Sequence, residues 1–162
     1  MRDSFPLPLL EQVVRSVGRW SVFFKLDLTS YFWQVPLAPA AREKVAFTYP
    51  DGLKEWHRVP FGVRNGPPHC QRIITTMLQE NDLLRDAGAF IDDVGSGGDD
   101  HATAAARLDA VLLGLERRQL KASAGKLFCG LPRMLFLGHT VSKGTLHPDE
   151  AKVAAIKRLV PP

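Results

Sequence analysis

Carboxylates are seldom set among large apolar side chains in a strand, because burying an unpaired charge is costly. This sequence does so twice. Asp27 lies in Phe24-Lys25-Leu26-Asp27-Leu28, and Asp92-Asp93 lies in Ala89-Phe90-Ile91-Asp92-Asp93-Val94. Carboxylates at facing strand ends can hold divalent cations. Magnesium favours such hard oxygen ligands, usually one or two carboxylates plus substrate phosphates. Two such ions, about 3.5–4 Å apart, can activate an attacking hydroxyl and stabilise the leaving oxygen in phosphoryl transfer. The sequence supplies its own control: Asp99-Asp100 is the same dipeptide, but it follows Ser96-Gly97-Gly98 and reads as solvated loop capping a helix. Asp92-Asp93 alone is equally consistent with a plain tight turn. With Asp27 added the metal reading gains, and the choice between polymerase, nuclease and phosphatase stays open. The prediction is that Asp27, Asp92 and Asp93 converge, the first two within reach of one shared cation, while Asp99-Asp100 lies elsewhere.

The elements that must position these groups follow from periodicity and punctuation. Leu10, Val13, Val14 and Val17 make one face of an amphipathic stretch from Leu9 to Val17, ended by Gly18. Trp20 to Leu28 reads as a buried strand in which Phe24, Leu26 and Leu28 alternate with Lys25 and Asp27. Val45–Tyr49 and Lys54–Val59 flank Pro50-Asp51-Gly52 and read as a hairpin. Gly66-Pro67-Pro68 opens a helix with the apolar stripe Cys70, Ile73, Ile74, Met77 and Leu78. Gly88–Ile91, Asp92-Asp93 and Val94-Gly95 read as strand, tight turn, strand. A second helix, capped by Asp99 or Asp100, runs to Gln119 with the stripe Ala104, Ala105, Leu108, Val111, Leu112 and Leu115. Short strands follow at Leu135–Leu137 and Thr140-Val141, and Pro148-Asp149-Glu150 starts a last helix. The fold class is therefore α/β (α+β): a mainly antiparallel sheet covered by helices on one face.

The chain has 162 residues, 45% apolar and 23% charged, which suits one globular domain. Its net charge of +4 is spread over Arg15, Arg19, Arg42, Lys44, Arg64, Arg72, Arg117, Arg118, Lys121 and Lys126, without a block of like charges. That leans weakly toward a polyanionic partner. No apolar run is long enough to span a bilayer, and Met1–Pro6 lacks the core of a secretory signal. The two cysteines, Cys70 and Cys129, lack disulfide-framework or metal-site spacing. The expectation is a non-secreted, intracellular protein without a membrane partner.

Seven segments together carry a family resemblance. Phe5-Pro6-Leu7-Pro8 is followed by Lys25-Leu26-Asp27-Leu28 with Ser30, Phe32 and Gln34. Arg42-Glu43-Lys44 with Ala46-Phe47 precedes Pro60-Phe61-Gly62 with Asn65, Pro67 and Gln71-Arg72. Phe90-Ile91-Asp92-Asp93 and Phe136-Leu137-Gly138-His139 come next, and Pro148-Asp149 with Lys152-Val153 closes the series. In this order and spacing the chain resembles the reverse transcriptases of gypsy-class long-terminal-repeat retrotransposons over essentially its whole length. The resemblance implies an RNA-directed DNA polymerase palm (about 1–34 and 66–145) with part of the fingers (about 35–65) and the start of a connection toward the thumb (146–162). Upstream fingers, and thumb, RNase H and integrase regions downstream, would belong to the same polyprotein, in a cytoplasmic particle or the nucleus.

The resemblance also assigns roles. Asp27 and Asp92 would be metal-binding aspartates and Asp93 the third of the triad, holding two Mg2+ ions or Mn2+ in their place. Phe32 would be a steric gate against a ribose 2′-hydroxyl. Phe61, Gly62 and Gln71 resemble the segment under the template and incoming deoxynucleoside triphosphate, and Lys126 the lysine near its phosphates. Phe90 and Phe136-Leu137-Gly138-His139 would meet the RNA or DNA template-primer. Phe90 stands where the family usually has Tyr, Tyr31 where it has Gly, Trp33 where it has His and Leu127 where it has Cys. Two rival functions are weaker on the residues themselves. Asp27-Leu28-Thr29 is similar to a phosphatase Asp-x-Asp-x-Thr motif, but its nucleophile position is Lys25. A non-catalytic RNA-binding sheet would want stacking aromatics where this one has aspartates. An inactive remnant of the same family is the third alternative.

Overall fold

A computed structural model describes residues 3–149, 153–155 and 158. In chain order it contains helix α1 (Leu10–Val17), strand β1 (Val22–Asp27), two single-turn helices α2 (Tyr31–Gln34) and α3 (Pro39–Arg42), and strands β2 (Phe47–Tyr49) and β3 (Gly52–Lys54). Helix α4 (Gly66–Glu80), strands β4 (Gly88–Phe90) and β5 (Asp93–Gly98) and helix α5 (His101–Arg117) follow. The remaining strands are β6 (Phe128–Leu131), β7 (Arg133–Phe136), β8 (His139–Ser142) and β9 (Thr145–Pro148). A central antiparallel sheet has the order β4-β5-β1-β6; β2-β3 and β7-β8-β9 form two smaller antiparallel sheets. The mixed α/β class predicted from the sequence is the one observed.

Alternation along β1 decides which face meets what. Phe24, Leu26 and Leu28 pack into one core with Cys70, Ile74, Met77 and Leu78 of α4 and Val111 and Leu115 of α5. Phe23 points the other way, into a second core with Val13, Val14 and Val17 of α1 and Met134, Phe136 and Val141 of the β7-β8-β9 sheet. The helices α4 and α5 thus cover one face, while α1 and the small sheet cover part of the other. Lys25 and Asp27 lie on that second face and stay half-buried.

Close approach on the second face depends on glycine. Gly88, Gly95 and Lys25 form one cross-strand row. A Cβ on Gly95 would meet the Phe136 ring at 2.8 Å, and one on Gly88 would meet Val13 and Val17 at 2.9 Å. This is why Ser96-Gly97-Gly98, read from sequence as loop, is buried strand instead: missing side chains let neighbouring backbone and rings pack onto it.

Other boundaries also moved. The first hairpin is shorter than predicted, with Gly52 (φ 118°) inside its second arm. Ala105 and Leu112 of the predicted α5 stripe are exposed, and Gly114 is buried against Met77 in their stead. Strands β6 and β9 escaped the sequence reading because they are short and mostly exposed, without clean alternation. Pro148 ends β9 rather than starting a helix; residues 153–155 are helical, and the predicted helix start beyond Asp149 lies outside the described residues.

Gly95→Ala should lower unfolding stability in urea by about 1–3 kcal/mol, the range for overpacking a filled core. Unchanged stability would show that the Phe136 ring has room to move aside.

Candidate active site

The register of β1 on β5 makes Asp27 and Asp93 direct cross-strand partners. Leu28 N–H donates to the Asp92 carbonyl at 2.8 Å, so residues 28 and 92 form a hydrogen-bonded pair. The pair 27/93 is then of the non-hydrogen-bonded kind, in which Cα atoms sit about 4.5 Å apart and side chains are closest. Both carboxylates share the face turned away from α4 and α5. The sequence reading placed the tight turn at Asp92-Asp93; pairing of Phe90 with Asp93 shifts it by one, to Ile91-Asp92. Asp93 therefore stands on the strand opposite Asp27, and Asp92 projects from the turn beside them.

That turn is held under tension. Ile91 has φ 55°, an uncommon and strained conformation for a β-branched residue. Gln71 of α4 secures it: the Ile91 N–H donates to Gln71 Oε1 at 2.8 Å, and Gln71 Nε2 donates to the Ala89 carbonyl at 3.1 Å. Gln71 is 2% exposed and supports the Asp92 turn from beneath, where the sequence predicts contact with a nucleotide. Its signal in the sequence was a polar residue three before Ile74 and seven before Leu78, on the core side of the helix. Beside it, burial and then Asp92 push the Cys70 thiol up to about 11. The Tyr31 hydroxyl donates to the Cys70 carbonyl at 2.9 Å, and burial raises its own pKa.

Asp27 is held from the far strand as well. Its carbonyl accepts from Ser123 N–H at 2.8 Å, at the start of the 3-10 turn Ala124–Lys126. From that turn Lys126 Nζ donates to Asp27 Oδ2 at 3.1 Å. The hydrogen bond and charge of Asp27, then Asp92 and Asp93, raise the Lys126 pKa, so it stays an ammonium at neutral pH. Asp93 is raised by burial first, then by Asp92 and Asp27, with Lys25 and Lys126 pulling it down. Three carboxylates and one ammonium thus sense each other across three segments of chain. Asp99 and Asp100 lie apart, with Asp100 Oδ1 accepting from Thr103 N–H at 2.7 Å as the cap of α5.

The other predicted residues fall into two groups. Phe32 is half-buried, its ring 5.5 Å from that of Phe61, which is itself 5.5 Å from the exposed Trp33. Gly66 presses on Phe32, where a Cβ would sit 3.1 Å from the ring. Gly62 (φ 86°) is exposed beside Phe61. Leu137 (φ 49°) and Gly138 (φ 77°) make the tight β7–β8 turn, and the half-buried His139 ring lies 3.2 Å from the Leu137 carbonyl. Phe136, predicted to meet template-primer, is 1% exposed and packs on Gly95; it anchors that turn instead. Phe90 is half-buried opposite Asp93.

Among the described residues, no three His, Cys, Asp or Glu side chains form a ready-made metal cage. The donor set nevertheless suits a hard cation of partial protein coordination, since magnesium commonly takes one or two carboxylates and fills its sphere with water and phosphate. Mutual repulsion at Asp93 is what a cation there would relieve.

Comparison with known proteins fits this geometry. The family model for reverse transcriptase (RNA-dependent DNA polymerase) matches residues 2–141. The chain belongs to the reverse transcriptase family. It is 32% identical over 160 residues to the retrovirus-related Pol polyprotein from transposon opus of Drosophila melanogaster, and 30% identical over 160 residues to that from transposon gypsy of the same fly. Each alignment covers 99% of this chain, but the chain spans only 16% and 15% of those polyproteins. The fold is similar to foamy viral protease-reverse transcriptase bound to double-stranded DNA (TM-score 0.90, 17% identity, 100% of this chain and 28% of that one). It is also similar to that protein bound to an RNA/DNA hybrid (TM-score 0.87, 18% identity, 98% and 21%). Among the described residues, no helix of this reverse transcriptase chain is long and apolar enough to cross a membrane.

The raised Asp93 pKa has a consequence for stability. The folded protein keeps a proton on Asp93 at pH values where the unfolded chain has already released it. Stability therefore falls as pH rises from the ordinary carboxylate range through the raised value. In metal-free protein, Asp93→Asn should melt higher than wild type at neutral pH, with the difference vanishing in acid where Asp93 is protonated in both states. A variant that melts no higher at neutral pH would contradict the cost of holding a charged Asp93 half-buried beside Asp92 and Asp27.

Proposed function

We propose that this chain carries the polymerising centre of an RNA-directed DNA polymerase, part of a longer retrotransposon polyprotein that works inside the cell. The observation that carries this reading is the cross-strand pair Asp27 and Asp93, with Asp92 on the strained turn and Lys126 bonded to Asp27. Residues of about 1–34 and 66–145 act as palm, about 35–65 as part of the fingers, and 146–162 lead toward a thumb.

Asp27, Asp92 and Asp93 would supply the carboxylate oxygens for two magnesium ions. When bound, those ions would activate the primer 3′-hydroxyl and stabilise the leaving oxygen of a deoxynucleoside triphosphate. The protein's own part is orientation. Gln71 fixes the turn bearing Asp92, and the β1–β5 register fixes Asp27 against Asp93, so little reorganisation remains once substrate arrives. Lys126 leaves Asp27 and neutralises the pyrophosphate as it departs. Phe32, braced between Gly66 and Phe61, crowds a ribose 2′-hydroxyl and selects deoxynucleotides. Phe61, Gly62 and Phe90 lie along the template and nucleotide, and the Leu137-Gly138 turn with His139 meets the primer end. The solved relatives' complexes with double-stranded DNA and RNA/DNA hybrid support template-primer as the partner.

The test is primer extension on an RNA template, using a chain extended in both directions by the natural reading frame. Asp92→Asn should lower the rate at least ~10²-fold, the scale of losing one such electrostatic partner, and chelation of divalent ions should abolish it. Phe32→Val should raise ribonucleotide incorporation without altering metal dependence. Extension unaffected by Asp92→Asn would overturn the assignment.

A further inference from the structure

A basic recess lies beside the chain that leaves β1, where Gln34 bonds the Thr29 carbonyl. About 400 Å³ in volume, it is lined by Trp33, Gln34, Pro36, Arg58, Arg118, Gln119 and Lys121. No carboxylate lines it. Arg58 and Lys121 make no ion pair among the described residues, whereas Arg118 pairs with Glu80 at 2.7 Å. Even so, the buried Arg118 Nε has no hydrogen-bond partner among the described residues.

The walls are fixed by one side chain. Gln34 Nε2 donates to the carbonyls of Thr29 and Lys121, the latter at 2.9 Å, and Gln34 Oε1 accepts from Lys121 N–H at 2.6 Å. Arg58 Nη1 donates to the Gln34 carbonyl at 2.8 Å, and the same side chain lines the recess. Trp33 stands 49% exposed at the rim, its inner contact made with Phe61. Guanidinium and ammonium groups suit a phosphate, and an exposed indole suits the face of a base. Together they fit one chemical unit.

We propose that this recess is a second nucleotide site, holding a phosphate between Arg58, Lys121 and Arg118 and a base against Trp33. It adjoins the carboxylates without using them: Thr29 follows Asp27 by two residues, and Lys121 precedes by two the Ser123 that holds the Asp27 carbonyl. The nucleotide comes either free, as a triphosphate, or as one unit of a single strand. Both present the same chemistry to these residues.

The experiment measures binding of ATP, inorganic pyrophosphate and single-stranded oligothymidylate to the whole chain, in chelator and at low salt. Chelator removes metal-dependent nucleotide binding at the carboxylates, so the outcome is separate from that of the polymerase test. Lys121→Gln should weaken each bound probe about tenfold, as for one lost charge-assisted contact. The fold should survive, because the Lys121 ammonium takes no hydrogen bond or ion pair among the described residues. Trp33→Leu should weaken ATP and oligothymidylate but leave pyrophosphate unchanged. Binding of ATP without oligothymidylate supports a free nucleotide, and the reverse supports a strand. The proposal is overturned if no probe binds, if Lys121→Gln binds as wild type, or if the distant Arg133→Gln weakens binding equally.

Discussion

The structure turns on a repulsion. Asp27 and Asp93 face each other across a sheet in the pairing that brings side chains closest, with Asp92 one residue away and one ammonium, Lys126, in direct contact. Like charges opposed in this way destabilise a sheet, and at Asp93 they add to burial, the larger cause of its raised pKa. Such an arrangement persists only where the surrounding structure over-determines it. Here a one-residue slip of β5 on β1 would carry Val94 and Ser96 out of the core and turn the glycine row away from Phe136. The hydrophobic register fixes the charges, and not the reverse.

The same logic accounts for Gln71 and the glycines. A strained Ile91 places Asp92 beyond the end of β4, and a buried amide from α4 satisfies the two backbone groups that the turn leaves facing the core. On the other face, Gly88 and Gly95 let α1 and Phe136 close over the sheet near its middle, leaving its Asp27 end accessible. The proposed site is thus a gap in the cover of an otherwise packed sheet, with helices supporting it from behind.

Much of this was legible from residue types. Strand β1, helices α4 and α5, the Asp100 cap and the setting of Asp27 and Asp92-Asp93 all rest on local patterns that the fold obeys. What was hidden depends on contacts far apart in sequence. Gln71 and Phe136 carry side chains that could serve a ligand or a core equally, and only packing against Ile91 and Gly95 decides for the core. Ser96-Gly97-Gly98 has loop composition, yet Trp20 and the Val22 carbonyl occupy the space its side chains would need. Likewise Gln34 sits in a motif, but its bond to Lys121 across 87 residues was invisible before the chain was folded.

The central claim is that these carboxylates are pressed together to receive a divalent cation. The most direct measurement is thermal stability during a manganese titration of wild type and Asp27→Asn. Wild type should gain stability with metal, by about 2.7 kcal/mol at a hundredfold excess over its dissociation constant, while Asp27→Asn gains little. Equal stabilisation of both proteins, or none in wild type, would contradict the account.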